Sequence, residues 1–334
     1  MLTRTRFFSV FTFALILFSA CKRTEGTKEY IGPADITTPL NFSVNGNGLS
    51  AKYSLVNFIS QTQFFHSVFS HTVAWNLEIR GTHSGAVRFY SGISKTLDSS
   101  NTAFDGKADS LRFFLPGETC AVRLKIAGWA KEYSSSFAIN QMPSFNCTLL
   151  DDFESPYDSI GFCMLYTDPT DSLVMFKEGE TDVVFEGRKS MKINGFDSND
   201  NYWISSLSTK NLNIKTMLAG KEASSTYLNL FAKGLTNGKA ILELQLQEDE
   251  NNDGVFNSSN DELWKGKATL SGDWQKISLA LGSFEKSGTI GNGTIEPGKI
   301  LRIALVLISY PPGDYTETYV DYVNFTFGAP FSQK

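Results

Sequence analysis

From about residue 40 onward, the chain consists of short runs of β-forming residues separated by clusters of Gly, Asn, Ser and Asp. One run, VAWNLEIRG, places Val73, Trp75, Leu77 and Ile79 on one face of a strand and mainly polar residues on the other. Strands with one apolar face, separated by frequent turn signals, are typical of all-β sandwiches. The best helical candidate, KNLNIKTML, is short. The sequence therefore predicts an all-β fold.

The strand pattern breaks at QMPSFNCT, residues 141–148, which predicts a boundary between two sandwiches. The first, residues 40–145, resembles an immunoglobulin-like sandwich because it has a Trp on a middle strand. Its predicted strands include SLRFFL, residues 110–115, and its expected role is that of a spacer or adhesive domain. The second sandwich, residues 146–334, opens with LLDDFES.

The N-terminal segment MLTRTRFFSVFTFALILFSACKRTEG has the layout of a secretory signal: basic, then apolar, then small residues before Cys21. The small pair followed by Cys resembles the lipobox of bacterial lipoproteins, in which the cysteine carries the lipid. We expect residues 1–20 to be a lipoprotein signal peptide and the polar residues 21–39 to be a tether. The expected location is the outer membrane or cell surface. An ordinary signal peptide and an uncleaved anchor are the alternatives.

Composition narrows the remaining possibilities. A net charge of −5 without a long basic run argues against a nucleic-acid partner. The 27 Phe residues can fill a sizeable core.

Apart from Cys21, the sequence has three cysteines, which allow at most one disulfide. One possibility is a bond between Cys147 and Cys163; the other is that these two and Cys120 are three separate thiols. The only histidines, His66, His71 and His83, are expected to be solvated or in the core.

Five phrases of the second sandwich occur in a recognisable order: LLDDFES, EGRKSMKI, YLNLFAKG, GDWQKISLALGSF and TETYVDYVNFTFG. In this order they resemble the strands of galactose-binding-like jelly rolls, the β-sandwich of many carbohydrate-binding modules. The chain also resembles Bacteroidetes-type surface lipoproteins, which are often concerned with glycans. The resemblance implies a glycan partner and a structural calcium ion held by Glu154, Glu186 with Gly187, and Asp321. It also implies that Trp274 packs structurally.

Strand alternation supplies candidate glycan-binding residues. TYLNLFAKG, ILELQLQE and LRIALVLIS each direct leucines to one face and polar residues to the other. Sugar hydroxyls need donors and acceptors, whereas the apolar face of a pyranose stacks on an aromatic ring. The candidates on strand faces are Tyr227, Asn229, Glu243, Gln245 and Arg302, and those in loops are Tyr202, Trp203, Tyr310 and Tyr315. The alternative is an ordinary solvated sheet face with aromatics in an edge core.

The segment EDENNDGVFNSSNDELW contains the D-x-N-x-D-G order of a calcium loop in Asp249, Asn251, Asp253 and Gly254. The ligands that complete the predicted site are Val255 through its carbonyl, Asn257 and Asp261. The twelfth position is Asn260 in place of the usual Glu, and the flanking segments are strand-like. We therefore predict structural calcium in a hairpin loop, with a solvated acidic loop as the alternative.

The sequence has no G-x-S-x-G, H-E-x-x-H or phosphate-binding glycine motif, and the second sandwich has no histidine. We therefore expect a non-catalytic, lipid-anchored protein that binds glycan through its second sandwich. The alternatives are a structural or assembly lipoprotein that binds another envelope protein and, with less support, a carbohydrate-active hydrolase working through paired carboxylates.

Overall fold

The computed structural model describes residues 43–46, 48–155, 161–167, 173–178, 183–196, 203–236, 240–310 and 315–332, and of 163–167 and 173–178 it describes the backbone only. The predicted signal peptide, the tether with Cys21, and Tyr202 lie outside these ranges. Within them, no helix is long and apolar enough to cross a membrane. The fold is all-β, as the sequence predicts.

The described part of the N-terminal sandwich contains six strands: β1 (Ser50–Ala51), β2 (Leu55–Asn57), β3 (Phe65–Gly81), β4 (Val87–Leu97), β5 (Thr119–Ile126) and β6 (Tyr133–Gln141). Hydrogen bonds join them in the order β1-β3-β5-β6-β2, with β4 on β3. The pairing of β3 with β4 shifts register between Val68 and Val73, an irregularity that bends a strand. Both parts of β3 bury alternate side chains in the same core, Phe69 in one and Trp75 in the other.

In the residues that the structure describes, the C-terminal sandwich consists of two six-stranded sheets. Its strands are β7 (Thr148–Asp151), β8 (Gly161–Thr167), β9 (Leu173–Glu178), β10 (Lys189–Phe196), β11 (Trp203–Lys210), β12 (Thr226–Gly234), β13 (Ala240–Glu248), β14 (Glu262–Thr269), β15 (Gln275–Ala280), β16 (Glu285–Ser287), β17 (Ile300–Ser309) and β18 (Tyr315–Phe327). The first sheet has the order β15-β12-β18-β10-β9, with β7 on β18. The second has the order β16-β14-β13-β17-β11-β8.

The leucine faces predicted from alternation line the core between these two sheets. Leu228 and Leu230 of β12 belong to the same core cluster as Leu244 of β13 and Leu305 of β17. The five phrases that resemble a jelly roll all contribute strands to the first sheet, namely β7, β10, β12, β15 and β18. The predicted helix is also present as α1 (Ile214–Leu218), whose first turn is capped by the Asn213 side chain. Single 3₁₀ turns occur at Ala223–Ser225, Leu281–Ser283 and Pro297–Lys299.

The predicted strand SLRFFL is wrong: residues 110–115 have an irregular backbone and reach the other sandwich. Phe113 packs edge-on against Phe145, Phe185 and Tyr322, with ring centroids 4.8, 5.4 and 5.1 Å away. Phe185 in turn stacks on Phe231 at 3.8 Å. We call this group the interface cluster; its members are Phe113, Leu115, Phe145, Cys147, Phe185, Phe231, Trp274, Tyr322 and Phe331. Trp274 therefore packs structurally, as the resemblance implies.

Polar contacts surround the interface cluster. Arg112 donates from Nη1 to the carbonyls of Val184 (3.0 Å) and Phe185 (2.8 Å). The His83 ring nitrogen Nε2 lies 2.9 Å from the Gly187 carbonyl oxygen. On the N-terminal side, the buried Glu118 carboxylate accepts the backbone N–H groups of His83, Ser84 and Leu115, so it positions both contacting segments. The two sandwiches accordingly belong to one compact unit, Thr37–Lys334.

The two described thiols do not pair with one another. Cys120 lies in the core of the N-terminal sandwich, and Cys147 lies beside the Tyr322 hydroxyl, 3.8 Å from its oxygen. Burial raises the pKa of both thiols. A raised pKa disfavours the thiolate, which is the reactive form of cysteine. The side chain of Cys163 lies outside the described residues, so its predicted pairing with Cys147 stays a prediction.

We expect Phe113→Ala to lower the free energy of unfolding by about 3–5 kcal/mol, because it removes the ring on which the interface cluster is centred. Calorimetry should show one transition in the wild-type protein and two separated transitions in the variant. Phe89→Ala is the matched control, since the Phe89 ring is 56% exposed, and it should change stability by less than about 0.5 kcal/mol. A single transition at the wild-type temperature in Phe113→Ala would show that the cluster does not couple the sandwiches.

Candidate functional site

Four aromatic residues lie at one end of the C-terminal sandwich, and we call them the aromatic end: Phe196, Trp203, Tyr310 and Tyr315. Phe196 ends β10 and pairs with Tyr315, which begins β18; the ring centroids are 5.2 Å apart. Trp203 begins β11 and pairs with Ile308, two residues before Tyr310. Tyr310 is 62% exposed and Phe196 is 49% exposed. Three of the predicted loop aromatics thus lie at this end of the sandwich, together with one that was not predicted: Phe196 and Tyr315 on the first sheet, Trp203 and Tyr310 at the end of the second.

A hydrogen-bonded network lies beside the Phe196–Tyr315 pair. The Tyr315 hydroxyl donates to Glu317 Oε2 at 2.8 Å and accepts from Asn194 Nδ2 at 3.1 Å. Lys192 Nζ lies 2.6 Å from the same Glu317 oxygen. Burial alone would raise the pKa of Glu317, but the hydrogen bonds from Lys192 and Tyr315 lower it. The network therefore holds an ionised carboxylate and an ammonium group next to an exposed aromatic surface.

The outer face of the second sheet carries three further predicted residues. Glu243 and Gln245 on β13, and Arg302 on β17, lie on the face opposite the core leucines. Glu243 is nevertheless 3% exposed, with Lys265 Nζ and Lys267 Nζ 3.3 and 3.4 Å from its oxygens. Gln245 donates to Glu243 at 2.8 Å. Glu243 is therefore already paired, whereas Arg302 and Gln245 are the partly exposed members of this face.

Two predicted residues lie on the other sheet and away from the aromatic end. The prediction of an exposed Asn229 is wrong: its side chain is fully buried and bonds to Asn324, Thr326 and the Phe331 backbone N–H. Tyr227, two residues earlier on β12, is partly buried. The alternation of β12 is correct, but its outer face is covered by the C-terminal residues and the interface cluster.

The residues missed at the aromatic end are Phe196, Asn194, Lys192 and Glu317. A signal for them exists in the sequence: in KSMKINGF, Met191 and Ile193 alternate with Lys192, Asn194 and Phe196. An apolar Phe on the polar side of an alternating strand, at the edge of an Asp- and Asn-rich loop, indicates an exposed aromatic ring.

The predicted calcium loop is closed by its own hydrogen bonds. Asp249 is buried and accepts the backbone N–H groups of Asp253 and Gly254, each at 3.0 Å. Lys215 Nζ of α1 lies 2.9 Å from Asp249; although burial opposes it, this contact lowers the pKa of Asp249. Asp261 accepts from the N–H groups of Glu250 and Asn257. Asn251, Asp253 and Val255 are exposed, and calcium in this loop stays a prediction.

The carboxylates implied by the resemblance converge beside the interface cluster. The buried Asp321 accepts from the N–H groups of Phe185 and Glu186, both at 2.9 Å. Glu154 Oε1 accepts from Lys189 N at 2.7 Å and lies against Gly187, whose φ of +64° and close contact exclude a side chain. Burial, followed by repulsion from Asp152 and Glu154, raises the pKa of Glu186 to about 7. A cation held there stays a prediction.

A third acidic group lies at the base of the β13–β14 hairpin. Glu248, Glu250 and Glu262 each place a carboxylate oxygen within 4.8 Å of the other two. Burial, with repulsion from Glu262 and Glu250, raises the pKa of Glu248 to about 7. Among the residues that the structure describes, this is the one group of three such side chains with ligand atoms this close. The sequence pattern does not indicate this group, because Glu248 and Glu262 come together only through the pairing of β13 with β14.

We expect the free energy of unfolding, measured in chelator, to fall as the pH rises from about 4.5 to about 7. Asp151, Glu186 and Glu248 have raised pKa values in the folded state, so the folded protein binds more protons than the unfolded chain across this range. Urea denaturation at several pH values measures this fall in the free energy of unfolding. In Glu186→Gln the fall should be smaller than in the wild-type protein, by up to about 3 kcal/mol. The exposed Glu222→Gln is the control and should keep it. An unchanged slope in Glu186→Gln would contradict the raised pKa.

No protein-family model matches the sequence, and no curated protein matches it. Among solved structures, the chain is similar to the family 11 carbohydrate-binding module from Clostridium thermocellum in complex with a β-1,3-1,4-mixed-linked tetrasaccharide. The identity is 18% and the TM-score 0.39, over 56% of this chain and 98% of that chain. It is also similar to SGBP-B from a complex xyloglucan utilization locus in Bacteroides uniformis, with 14% identity and a TM-score of 0.36 over 84% and 73% of the two chains.

A family 30 carbohydrate-binding module has 14% identity and a TM-score of 0.38, over 56% of this chain and 91% of that chain. All three TM-scores are below 0.5, so these similarities by themselves assign no function to this chain. Its function has to be inferred from the geometry of the site.

Proposed function

We propose that this protein binds glycan at the aromatic end of its C-terminal sandwich. The observation that carries the proposal is the Phe196–Tyr315 pair, whose half-exposed Phe ring adjoins the Asn194, Glu317 and Lys192 network. Tyr310, at the end of a strand that pairs with β11, adds a second exposed ring at the same end. Stacking surfaces next to fixed donors and acceptors are what recognition of a pyranose needs.

The physical basis is equilibrium binding to a largely preformed surface. The Phe196 and Tyr315 rings pack on each other, and hydrogen bonds hold Tyr315, Glu317 and Lys192 in place, so little side-chain entropy is lost when a ligand binds. The outer face of the second sheet, with Gln245 and Arg302, supplies a polar surface over which a longer glycan chain extends in this proposal.

The test is a glycan-array screen of the full chain in calcium-containing buffer, followed by calorimetry on the hits. We expect Tyr310→Ala and Phe196→Ala each to raise Kd at least about fivefold, roughly 1 kcal/mol, because each removes an exposed stacking ring. If the outer face of the second sheet also contacts the glycan, Arg302→Ala should raise Kd as well; an unchanged Kd would restrict the site to the aromatic end.

Phe89→Ala is the matched control, since this ring is equally exposed but lies on β4 of the N-terminal sandwich. It should leave Kd unchanged. The proposal fails if no glycan binds, or if Phe89→Ala weakens binding as much as Tyr310→Ala does. Incubating each hit with the protein and looking for shortened products tests the prediction that the chain is non-catalytic.

We further propose that the protein is a surface lipoprotein, attached to a membrane through an acylated Cys21. The support is the sequence of residues 1–23, where a basic start, an apolar run and small residues precede the cysteine. Several acyl chains on one cysteine give stable attachment, because each buried CH₂ contributes about 0.8 kcal/mol.

Cys21→Ser is expected to release the protein from the membrane fraction of expressing cells, because the acylation site is lost. Immunoblots of membrane and soluble fractions measure this. Cys120→Ser, a change at a buried thiol of the N-terminal sandwich, is the control and should stay in the membrane fraction. Equal membrane retention of the two variants would show that the apolar segment itself is the anchor.

Docking of another envelope protein is the second candidate function, and one observation favours it. Phe89 and Ile93 lie four residues apart on the same side of β4 and are 56% and 61% exposed. Pull-down from solubilised envelope with the wild-type chain and with Phe89→Ala distinguishes this function from glycan binding, because Tyr310→Ala should not affect it.

A further inference from the structure

The acidic group at the base of the β13–β14 hairpin contains a buried oxygen with no hydrogen-bond donor. Glu248 ends β13 and pairs in register with Glu262, which begins β14. Both are buried, at 0% and 1% exposure, and Glu250 is partly buried beside them. Three carboxylates so close together repel each other strongly in a desolvated place. The arrangement is therefore stable only with ion-paired lysines, a bound cation or a proton on one of the carboxylates.

The oxygens of the two buried glutamates can be accounted for one by one. Glu248 accepts from Trp264 Nε1 at 2.7 Å through Oε2 and from Glu296 N at 2.8 Å through Oε1. Glu262 Oε1 accepts from Gly293 N at 2.6 Å and lies 2.8 Å from Lys286 Nζ. Glu262 Oε2 is buried and has no partner. A buried carboxylate oxygen without a donor is unfavourable, so this atom indicates a missing ligand.

The lysines around the group do not balance its charge. Lys286 pairs with Glu262, and Lys299 is shared between Glu250 at 3.3 Å and Glu296 at 2.6 Å. Four glutamates therefore face two lysines, so carboxylates outnumber ammonium groups here. Nearby, Asp249 is paired with Lys215, and Asp261 adds a further carboxylate, which accepts two backbone N–H groups. The surroundings of the group are therefore acidic.

We propose that Glu248, Glu250 and Glu262 bind a calcium ion. Calcium takes carboxylate oxygens at about 2.4 Å in a flexible geometry, so oxygens on opposite sides of the ion lie about 4.8 Å apart. The three carboxylate oxygens lie within that separation. Magnesium prefers a smaller and stricter octahedron with several waters, which three clustered carboxylates suit less well. The ion would join the hairpin base to residues 293–299, whose N–H groups already bind the same glutamates.

This site is different from the D-x-N-x-D-G loop beside it. In that loop both oxygens of Asp249 and both oxygens of Asp261 accept backbone N–H groups, whereas Glu262 keeps one buried oxygen without a donor. It is also independent of the proposed glycan surface, because neither Phe196 nor Tyr310 contributes to it. Glycan binding and calcium binding here can therefore fail separately.

Terbium luminescence tests the proposal with a local readout. Tb³⁺ replaces calcium at oxygen sites and emits when a nearby indole is excited, and Trp264 donates directly to Glu248. With the chelator-treated full chain, we expect sensitised emission that added calcium displaces, together with a rise in melting temperature in calcium. Glu262→Gln keeps the shape of the side chain but removes its charge. It should remove the part of the emission that Trp264 sensitises at this site and raise the Kd of the site for calcium at least tenfold.

Glu250→Gln, at a partly exposed position, is the second variant and should give the same loss if Glu262→Gln does not fold. Asp253→Asn in the neighbouring loop and Glu186→Gln beside the interface cluster are the controls and should keep the emission. Emission that stays at the wild-type level in Glu262→Gln and Glu250→Gln, or that falls as far in either control as in these variants, would overturn the assignment. Absence of emission and of any calcium effect in the wild-type protein would overturn it as well.

Discussion

The packing of aromatic side chains between the two sandwiches is the constraint on which the rest of the structure depends. Phe113, carried by an irregular segment of the N-terminal sandwich, inserts against Phe185 and Phe231 on the outer face of the first C-terminal sheet. That face is therefore interior, and the C-terminal residues around Phe331 cover the part next to it. In the C-terminal sandwich, the surface proposed to bind glycan therefore lies at the aromatic end and on the outer face of the second sheet.

Buried carboxylates organise the loops of this protein. Loops lack the regular backbone partners of a sheet, so buried N–H groups need other acceptors. Glu118 serves the segments that reach the interface, Asp321 serves the turn at Phe185 and Glu186, and Asp249 serves the hairpin loop. Each of these is satisfied by several donors. Glu262, with one oxygen lacking a donor, departs from this pattern, which is the reason a bound cation is inferred there.

Period-2 alternation predicts which side of a strand meets the core, because successive side chains point to opposite faces. It was correct for the core leucines of β12, β13 and β17, but not for Leu301, which is only partly buried and lies outside the core cluster. It was wrong for the exposure of Asn229, since alternation contains no information about what covers the other face. The same reasoning explains SLRFFL: its apolar residues satisfy a strand pattern, yet they are buried by contact with the other sandwich.

By itself, the sequence determined the all-β class, the position of most strands and the short helix. The stacking candidates Trp203, Tyr310 and Tyr315 also come from the sequence, and their role in binding stays a prediction. These features depend on local sterics, turn residues and side-chain period, all of which act over a few residues. Only the tertiary structure decided that Phe196 pairs with Tyr315, that Glu250 lies against Glu248 and Glu262, and that Asn229 is interior. Those outcomes depend on strand pairing and domain packing between distant segments, which no local pattern encodes.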